Sequence, residues 1–340
     1  MINKTAGPKI LYLSRADVHK LEENSSDIYI KGVERALILH SRKDFSQPLK
    51  PYLKTNKKDE HIADRIIAMP AHLGEPSISG IKWIGSKHDN PSLRNMERAS
   101  ALIVLNDPQT NFPIAILEGS SISAMRTAAV SVVATRHLAN KDFRNLSIVG
   151  CGLIAKMHVM SMLENFKGIK NVVLYDVESY KAQELIKNFQ SKYKNVSFRV
   201  ADKVQDAVEK AEVLVTCTVA NKPYIKAEWI QKGTFISNVS IMDLESELFI
   251  QADKVIVDDW DQANREKKVI NQLVLEGKFS KEMLHAELGD IITGLKAGRE
   301  NKDELIILNP MGMAIEDISC AYEIYENALK NNIGKYLDLY

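Results

Sequence analysis

The sequence predicts an α/β protein: a mixed α+β first third that leads into a parallel sheet with helices between its strands. Three observations predict it. From Leu146 onward short apolar runs alternate with helical stretches, and such alternation needs crossover connections and hence parallel strands. A glycine turn, Gly150-Cys-Gly152, stands between the first of these runs and a helix. The 340 residues, at about 150 per domain, make roughly two domains.

Composition narrows the class. Hydrophobic residues are 45% and charged residues 26%, which describes a globular chain rather than a disordered or fibrous one. Forty-five basic side chains face 44 acidic ones, for a net charge of +1, so no basic excess marks a nucleic-acid partner. The three cysteines, Cys151, Cys217 and Cys320, cannot all pair within one chain and have no CxxC spacing; this reads as a reduced, cytoplasmic protein without structural zinc. No segment has the ~20 apolar residues that span a bilayer, and the first residues lack a signal-peptide core, so no membrane partner is expected.

The elements follow in order. Lys9–Leu13 is a short apolar strand, and Ser14 with Asp17 caps a short helix. Ile30, Val33 and Leu37 give Ser26 to Lys43 a helical period. The charged run Leu53 to Glu60 reads as a solvated loop. Strands are expected at Arg65–Met69, Ser79–Ile84, Ala101–Asn106 and Ile114–Glu118, the last two separated by the turn residues Asp107-Pro-Gln-Thr-Asn111. Ser120 to Leu138 is a helix whose small residues permit close packing. Strands then begin at Leu146, Val172, Val196, Val213, Phe235 and Lys254, and a last helix runs from Gly312 to Leu329.

Gly150-Cys-Gly-Leu-Ile-Ala155 fits G-x-G-x-x-A in the context that gives the pattern meaning, an apolar strand before it and a helix after it. The first glycine makes the turn, the second lets a pyrophosphate approach the backbone, and Ala155 allows the helix to pack on its strand. The next strand ends at Asp176, placed to accept hydrogen bonds from ribose hydroxyls and to repel a 2′-phosphate, which favours NAD over NADP. The plainer readings are a glycine turn that binds nothing and an aspartate that caps a helix.

Arg65, Lys82 and Arg126 stand inside otherwise apolar elements, where a charge must be paired or face a ligand. Together they can clamp carboxylates; structural ion pairs are the alternative. Ser86 to Arg98 reads as a charged loop whose Lys87, Arg94 and Arg98 either add to a polyanion site or face solvent. His61, His72 and His88 share no metal-ligand spacing, and no HExxH occurs, so no metal is expected.

Taken together, Met125-Arg-Thr-Ala-Ala129, the GCGLIA loop, His285-Ala-Glu-Leu-Gly289, Gly298-Arg-Glu300 and Gly312-Met-Ala-Ile-Glu-Asp317 resemble the ornithine cyclodeaminase/mu-crystallin family. Phe45-Ser-Gln-Pro-Leu-Lys-Pro-Tyr52, His61 to Pro70 and Gly80 to Pro91 resemble its diaminopropionate-forming branch, as do Asn264 to Lys268 and Leu308 to Asp317. The family resemblance implies a Rossmann dinucleotide-binding domain, residues 131–309, inserted into an α+β substrate-binding and dimerisation domain, residues 1–130 with 310–340. It also implies a homodimer.

The branch resemblance implies that NAD oxidises the secondary amine joining a glutamyl to a diaminopropionyl unit, a tricarboxylate amino acid. Hydrolysis of the imine then gives 2-oxoglutarate and L-2,3-diaminopropionate, a precursor for a siderophore or an antibiotic. Arg65, Lys82 and Arg126 match the family's substrate-pocket cations, Arg126 lying between cofactor and carboxylate. Gly150, Gly152, Leu153 and Ile154 match the pyrophosphate loop, and Asp176 the ribose acid. Thr216, Cys217, Thr218 and Val239 match further cofactor-lining positions. Asp243 aligns, after a gap, with the family's catalytic aspartate; it, Lys82 or water is the base. A Gly-Gly-Asp-Cys-Pro-Gly-Lys segment and an F-x-S-x-G segment of cyclodeaminases are replaced here by Val239 to Glu247 and Leu308 to Gly312. The other family activities, cyclodeamination of ornithine or lysine and ketimine reduction, and a nucleotide-bound ligand carrier, are the alternatives.

Overall fold

The computed structural model describes residues 8–22, 25–54, 64–240, 242–265 and 268–340. The chain divides into two compact units, Met1–Arg126 with Met313–Tyr340, and Thr127–Gly312. The divisions fall at 126/127 and 312/313, against the expected 130/131 and 309/310.

The first unit is built on an eight-stranded mixed sheet. Lys335–Asp338, Lys9–Leu13, Pro113–Glu118, Ala99–Asn106, Ile78–Ser86, Arg65–Leu73 and Phe45–Ser46 lie side by side, and Tyr52–Leu53 also pairs with Arg65–Leu73. Lys9–Leu13 runs parallel to Pro113–Glu118; the other pairings are antiparallel. Alternation sets the faces: Ala101, Ile103 and Leu105 are buried, whereas Leu102 on the opposite face is exposed. The helices Asp27–Arg42 and Ala314–Asn331 lie against each other, and the second covers strands Arg65–Leu73, Ile78–Ser86 and Ala99–Asn106. Fully burying an aliphatic side chain such as Leu105 or Ile318 contributes about 1.5–3 kcal/mol. Ser14 caps the helix Arg15–Leu21 as expected, its hydroxyl accepting from Asp17 N at 3.3 Å while the Asp17 carboxylate accepts from Ser14 N at 2.9 Å.

The second unit is a parallel sheet in the order Ser197–Val200, Asn171–Tyr175, Asn145–Val149, Val213–Thr216, Phe235–Asn238, Ile306–Asn309, Lys254–Val257, Ala286–Glu287. The order reverses at Asn145–Val149 and Val213–Thr216, whose carboxyl ends therefore flank the crevice where such sheets bind ligands.

Three differences from expectation have physical causes. Ser86 to Arg98 is not one loop: the strand continues to Ser86, and Pro91, with its preset φ, opens a short helix, Asn90–Arg94. Ile306–Asn309 inserts between two strands far earlier in the chain, a long-range order that no local pattern encodes. Lys335–Asp338 is an exposed edge strand whose charges hide its pairing tendency. Of the run expected as a loop, Leu53 is strand, and residues 55–60 lie outside the described residues, as does His61. Among the described residues, no helix is long and apolar enough to cross a membrane. None of their His, Cys, Asp and Glu side chains group to hold a metal ion.

Candidate active site

In the first unit, the helices Gly119–Leu138 and Ala314–Asn331 and the strand Ile78–Ser86 bring two cations and two acids together. Lys82 is buried and donates to Asp317 Oδ2 at 2.6 Å and to Ser123 Oγ at 3.1 Å. Arg126 donates through Nε to Asp317 Oδ1 at 2.9 Å and through Nη1 to Glu316 Oε2 at 2.9 Å. Glu316 also accepts from Met313 N at 3.0 Å, which ties it to the start of its own helix. Both acids are fully buried.

The charges shape one another. Burial pushes the Lys82 ammonium down and Asp317 holds it up against Arg126, leaving its pKa at about 8. Burial opposes the charge on Arg126 as well, but Asp317 and Glu316 outweigh it and raise its pKa. The two cations overcome the burial penalty on Asp317 and hold it below the usual carboxylate range. A further lysine, Lys50, is also buried and opposes the charge on Lys82. Lys82 has three N–H donors and uses two on Asp317 and Ser123; Arg126 has five and uses two on the acids. Among the described residues, the third Lys82 donor and the Arg126 Nη2 amino group remain for a ligand.

Lys82 and Arg126 are thus brought together as expected, but through an acid pair rather than as bare cations. Glu316 and Asp317 were not singled out from the sequence. The signal was present, because two acids stand inside the apolar stretch Ala314 to Ile318 and fall under the argument already applied to Lys82 and Arg126. Arg65 is not part of this cluster. It pairs with Ser86, whereas Lys82 pairs with Met69, so the two lie on one face of the sheet, roughly 13 Å apart along the strand. The Arg65 guanidinium lies 4.9 Å from the centroid of the Tyr52 ring.

In the second unit the glycine turn follows Asn145–Val149. Gly150 has φ +89°, and a Cβ there would come within 2.9 Å of the Cys217 carbonyl, so only glycine fits. Gly152 differs: a Cβ would meet nothing within 4 Å, and the residue precedes the helix Leu153–Asn165. An open cradle at a helix N-terminus is what a pyrophosphate requires, so the residues present fit a dinucleotide. Leu153 is exposed at this rim, and Ile154 is half-buried. Asp176 Oδ2 accepts from Cys151 N at 2.7 Å and Oδ1 from Glu178 N at 2.9 Å, which pins the loop to the second strand. Each oxygen keeps a lone pair for a hydroxyl. Burial, with Asp176 adding to it, pushes the Cys151 thiol up to about 12, so it is not a nucleophile.

Two further expected positions, Thr216 and Asp243, are buried. Thr216 donates to Asn238 Oδ1 at 2.8 Å and accepts from Ser240 Oγ at 2.7 Å, which braces the strand ends. Asp243 is fully buried too, and its carboxylate accepts from the hydroxyls of Thr218, Ser240 and Tyr224. Burial raises its pKa against those donors. These hydroxyls tie the Asp243 carboxylate to the loop after Val213–Thr216. Cys217 and Val239 are partly exposed at the carboxyl ends of their strands. Beneath the loop, His158 joins Ser131 Oγ at 2.9 Å and Ile154 O at 2.8 Å, and burial lowers its pKa to about 4, so it stays neutral.

The two glycines separate stability from binding. Gly152→Val is expected to leave the melting temperature of the ligand-free protein nearly unchanged and to weaken NAD+ binding at least about tenfold, an affinity change of ~1.4 kcal/mol. Titration calorimetry beside thermal melting checks both.

With this geometry in hand, similarity to known proteins can be read. Residues 11–332 match the model of the ornithine cyclodeaminase/mu-crystallin family. The chain is 58% identical over 333 residues, 98% of this chain and 99% of the other, to N-((2S)-2-amino-2-carboxyethyl)-L-glutamate dehydrogenase of Staphylococcus aureus. Among solved structures, the Δ1-pyrroline-2-carboxylate reductase of Thermococcus litoralis, in complex with NADH and L-proline, is 32% identical, with a TM-score of 0.90 over 96% of this chain and 100% of that one. An archaeal alanine dehydrogenase dimer with bound NAD is 32% identical, with a TM-score of 0.87 over 98% and 100%. The chain belongs to the ornithine cyclodeaminase/mu-crystallin family.

Proposed function

We propose that this chain is an NAD-dependent dehydrogenase that oxidises the secondary amine of N-((2S)-2-amino-2-carboxyethyl)-L-glutamate and releases 2-oxoglutarate and L-2,3-diaminopropionate. The observation that carries this reading is the 58% identity to the staphylococcal enzyme over 98% of the chain. Substrate, NAD+ and water give the two products, NADH and one proton. Bound NAD+ would supply the hydride acceptor for oxidation of the glutamyl α-carbon and its C–N bond to the imine.

The side chains supply binding, orientation and proton transfer. Gly150, Gly152 and the amides of Leu153 and Ile154 would hold the pyrophosphate, and Asp176 the ribose. Cys217, Thr218 and Val239 line the crevice, with Asp243 positioning Thr218. Arg126 Nη2 orients the glutamyl α-carboxylate. The amine must lose its proton before its lone pair can assist oxidation. Lys82 accepts that proton in its neutral form, which a pKa of about 8 makes available near neutrality. Lys82 then returns it to the departing amine once water has added to the imine. Asp317 positions both cations.

A cytoplasmic homodimer accompanies this reading. The sheet face away from Lys82 exposes Tyr12, Trp83 and Leu102, a surface that a second copy would cover. The structurally similar archaeal alanine dehydrogenase is described as a dimer. All three cysteines are free thiols, as suits a reducing compartment.

A substrate deuterated at the glutamyl α-carbon tests the reaction. The expected NADH carries one deuterium by mass spectrometry; unlabelled NADH with deuterium retained in the products would place oxidation at another carbon.

A further inference from the structure

Asp243 stands in a hydrogen-bond chain whose protons can be counted. Its Oδ1 meets the hydroxyl of Thr218, its Oδ2 meets the hydroxyl of Ser240, and Tyr224 also bonds the carboxyl. Ser240 Oγ lies 2.7 Å from Thr216 Oγ1, which lies 2.8 Å from Asn238 Oδ1. Asn238 Nδ2 donates to Asn309 Oδ1 at 2.6 Å, and Asn309 Nδ2 to Met311 Sδ at 3.6 Å. Thr216, Asn238, Ser240, Asp243 and Asn309 are all buried, so their contacts must be completed from within.

The contacts Asp243–Ser240, Ser240–Thr216 and Thr216–Asn238 each join oxygen to oxygen and each need one proton. The hydroxyls of Ser240 and Thr216 supply one apiece. An ionised Asp243 must draw on Ser240, which then has no proton for Thr216. However the hydroxyls turn, one contact sets two bare acceptors against each other. Asn238 supplies the missing proton only if its amide turns over. Asn309 must then turn with it, which puts Asn309 Oδ1 against the Met311 sulfur, again two acceptors. The remaining source is Asp243 itself. With a proton on Oδ2, every link donates in one direction, from Asp243 through Ser240, Thr216, Asn238 and Asn309 to Met311, while Oδ1 stays the acceptor for Thr218.

The electrostatic surroundings agree. The titratable groups beside the carboxyl are Tyr224 and Cys217, both kept neutral chiefly by burial, and neither offers a cation to hold a carboxylate. Burial likewise raises the Asp243 pKa against its hydroxyl donors.

We infer that Asp243 is held as a neutral carboxylic acid and acts as a positioning residue: its proton sets the direction of the chain across the carboxyl ends of Val213–Thr216, Phe235–Asn238 and Ile306–Asn309, and its carbonyl oxygen orients Thr218. Neutrality also suits hydride uptake. An ionised carboxylate beside the crevice would hold the cationic ring of NAD+ more tightly than the neutral ring of NADH. That consequence rests on the proposed reaction; the protonation itself does not.

The test uses the full-length protein and two substitutions. In Asp243→Asn the amide donates where the acid hydroxyl does, and its oxygen still accepts from Thr218; Asp243→Ala offers neither. Asp243→Ala is expected to raise the NAD+ dissociation constant and KM at least tenfold. Asp243→Asn should recover most of that loss and keep the wild-type ratio of NAD+ to NADH affinity. The infrared difference between ligand-free wild type and Asp243→Asn at neutral pH should contain the carbonyl band of a carboxylic acid. Asp243→Asn as impaired as Asp243→Ala, or a carboxylate band in that difference, would overturn the inference and return Asp243 to the candidates for the base. Should Asp243→Asn fail to fold, Ser240→Ala decides: it removes the acceptor of the proton, so the acid band must move to higher frequency, and an unmoved spectrum overturns the inference. If wild type does not oxidise the substrate, the infrared and binding measurements decide unaided.

Discussion

Asp317→Asn is expected to destabilise the protein by roughly 3–5 kcal/mol, because removing one partner of a buried ion group leaves the others uncompensated. Here the loss falls on Lys82, whose only carboxylate contact among the described residues is Asp317 at 2.6 Å, and on Arg126, which keeps Glu316. The catalytic effect has a definite sign. In the wild type, kcat/KM rises with pH as Lys82 loses its proton through about pH 8. Asp317 holds that pKa up against burial and Arg126, so Asp317→Asn should move the limb to lower pH while lowering the plateau at least about 100-fold, ~2.7 kcal/mol of transition-state stabilisation. A limb that stays in place would mean that Lys82 is not the titrating group. The folded-state pKa of Lys82 lies below its unfolded value of 10.5, so its burial weakens folding below pH 8, and this penalty is relieved between about pH 8 and 10.5.

Gly150→Ala carries the second large effect. A φ of +89° costs an L-residue about 1–2 kcal/mol on its own. The added methyl would also lie 2.9 Å from the carbonyl carbon and oxygen of Cys217 and from Thr218 Cγ2, so the end of the neighbouring strand must shift. That shift disturbs both walls of the crevice at once. NAD+ affinity is expected to fall about 100-fold or more, and the melting temperature to fall with it. Equilibrium binding by fluorescence beside thermal melting checks the pair. A variant that melts lower but binds NAD+ as wild type does would show that the turn supports the fold without serving the cofactor.

How much of this was legible depended on whether the controlling interaction was local. The capping box of Ser14 and Asp17, the alternation in Ala99–Asn106 and the strand–glycine–helix context of Gly150 involve residues near in sequence, and each could be read directly. Lys82 and Arg126 were legible as charges inside apolar elements, but their partners were not, because Asp317 is 235 residues from Lys82 along the chain. The same distance hid the insertion of Ile306–Asn309 between Phe235–Asn238 and Lys254–Val257. Arg65 was grouped with Lys82 as a charge inside an apolar element and by family resemblance; strand register sets the two four positions apart on one face of the sheet. Asp243 was selected by alignment with a catalytic position; its hydroxyl partners Thr218, Ser240 and Tyr224 could not be read from the sequence, because the first and last of these contacts join separate loops.

The central claim is an oxidation with net transfer to NAD+, followed by hydrolysis. It is tested most directly by incubating the purified protein with NAD+ and N-((2S)-2-amino-2-carboxyethyl)-L-glutamate while following NADH absorbance and assaying 2-oxoglutarate. NADH and 2-oxoglutarate are expected in equal amounts. Absence of NADH, with proline formed from ornithine in a parallel reaction, would contradict it and assign the chain to cyclodeamination.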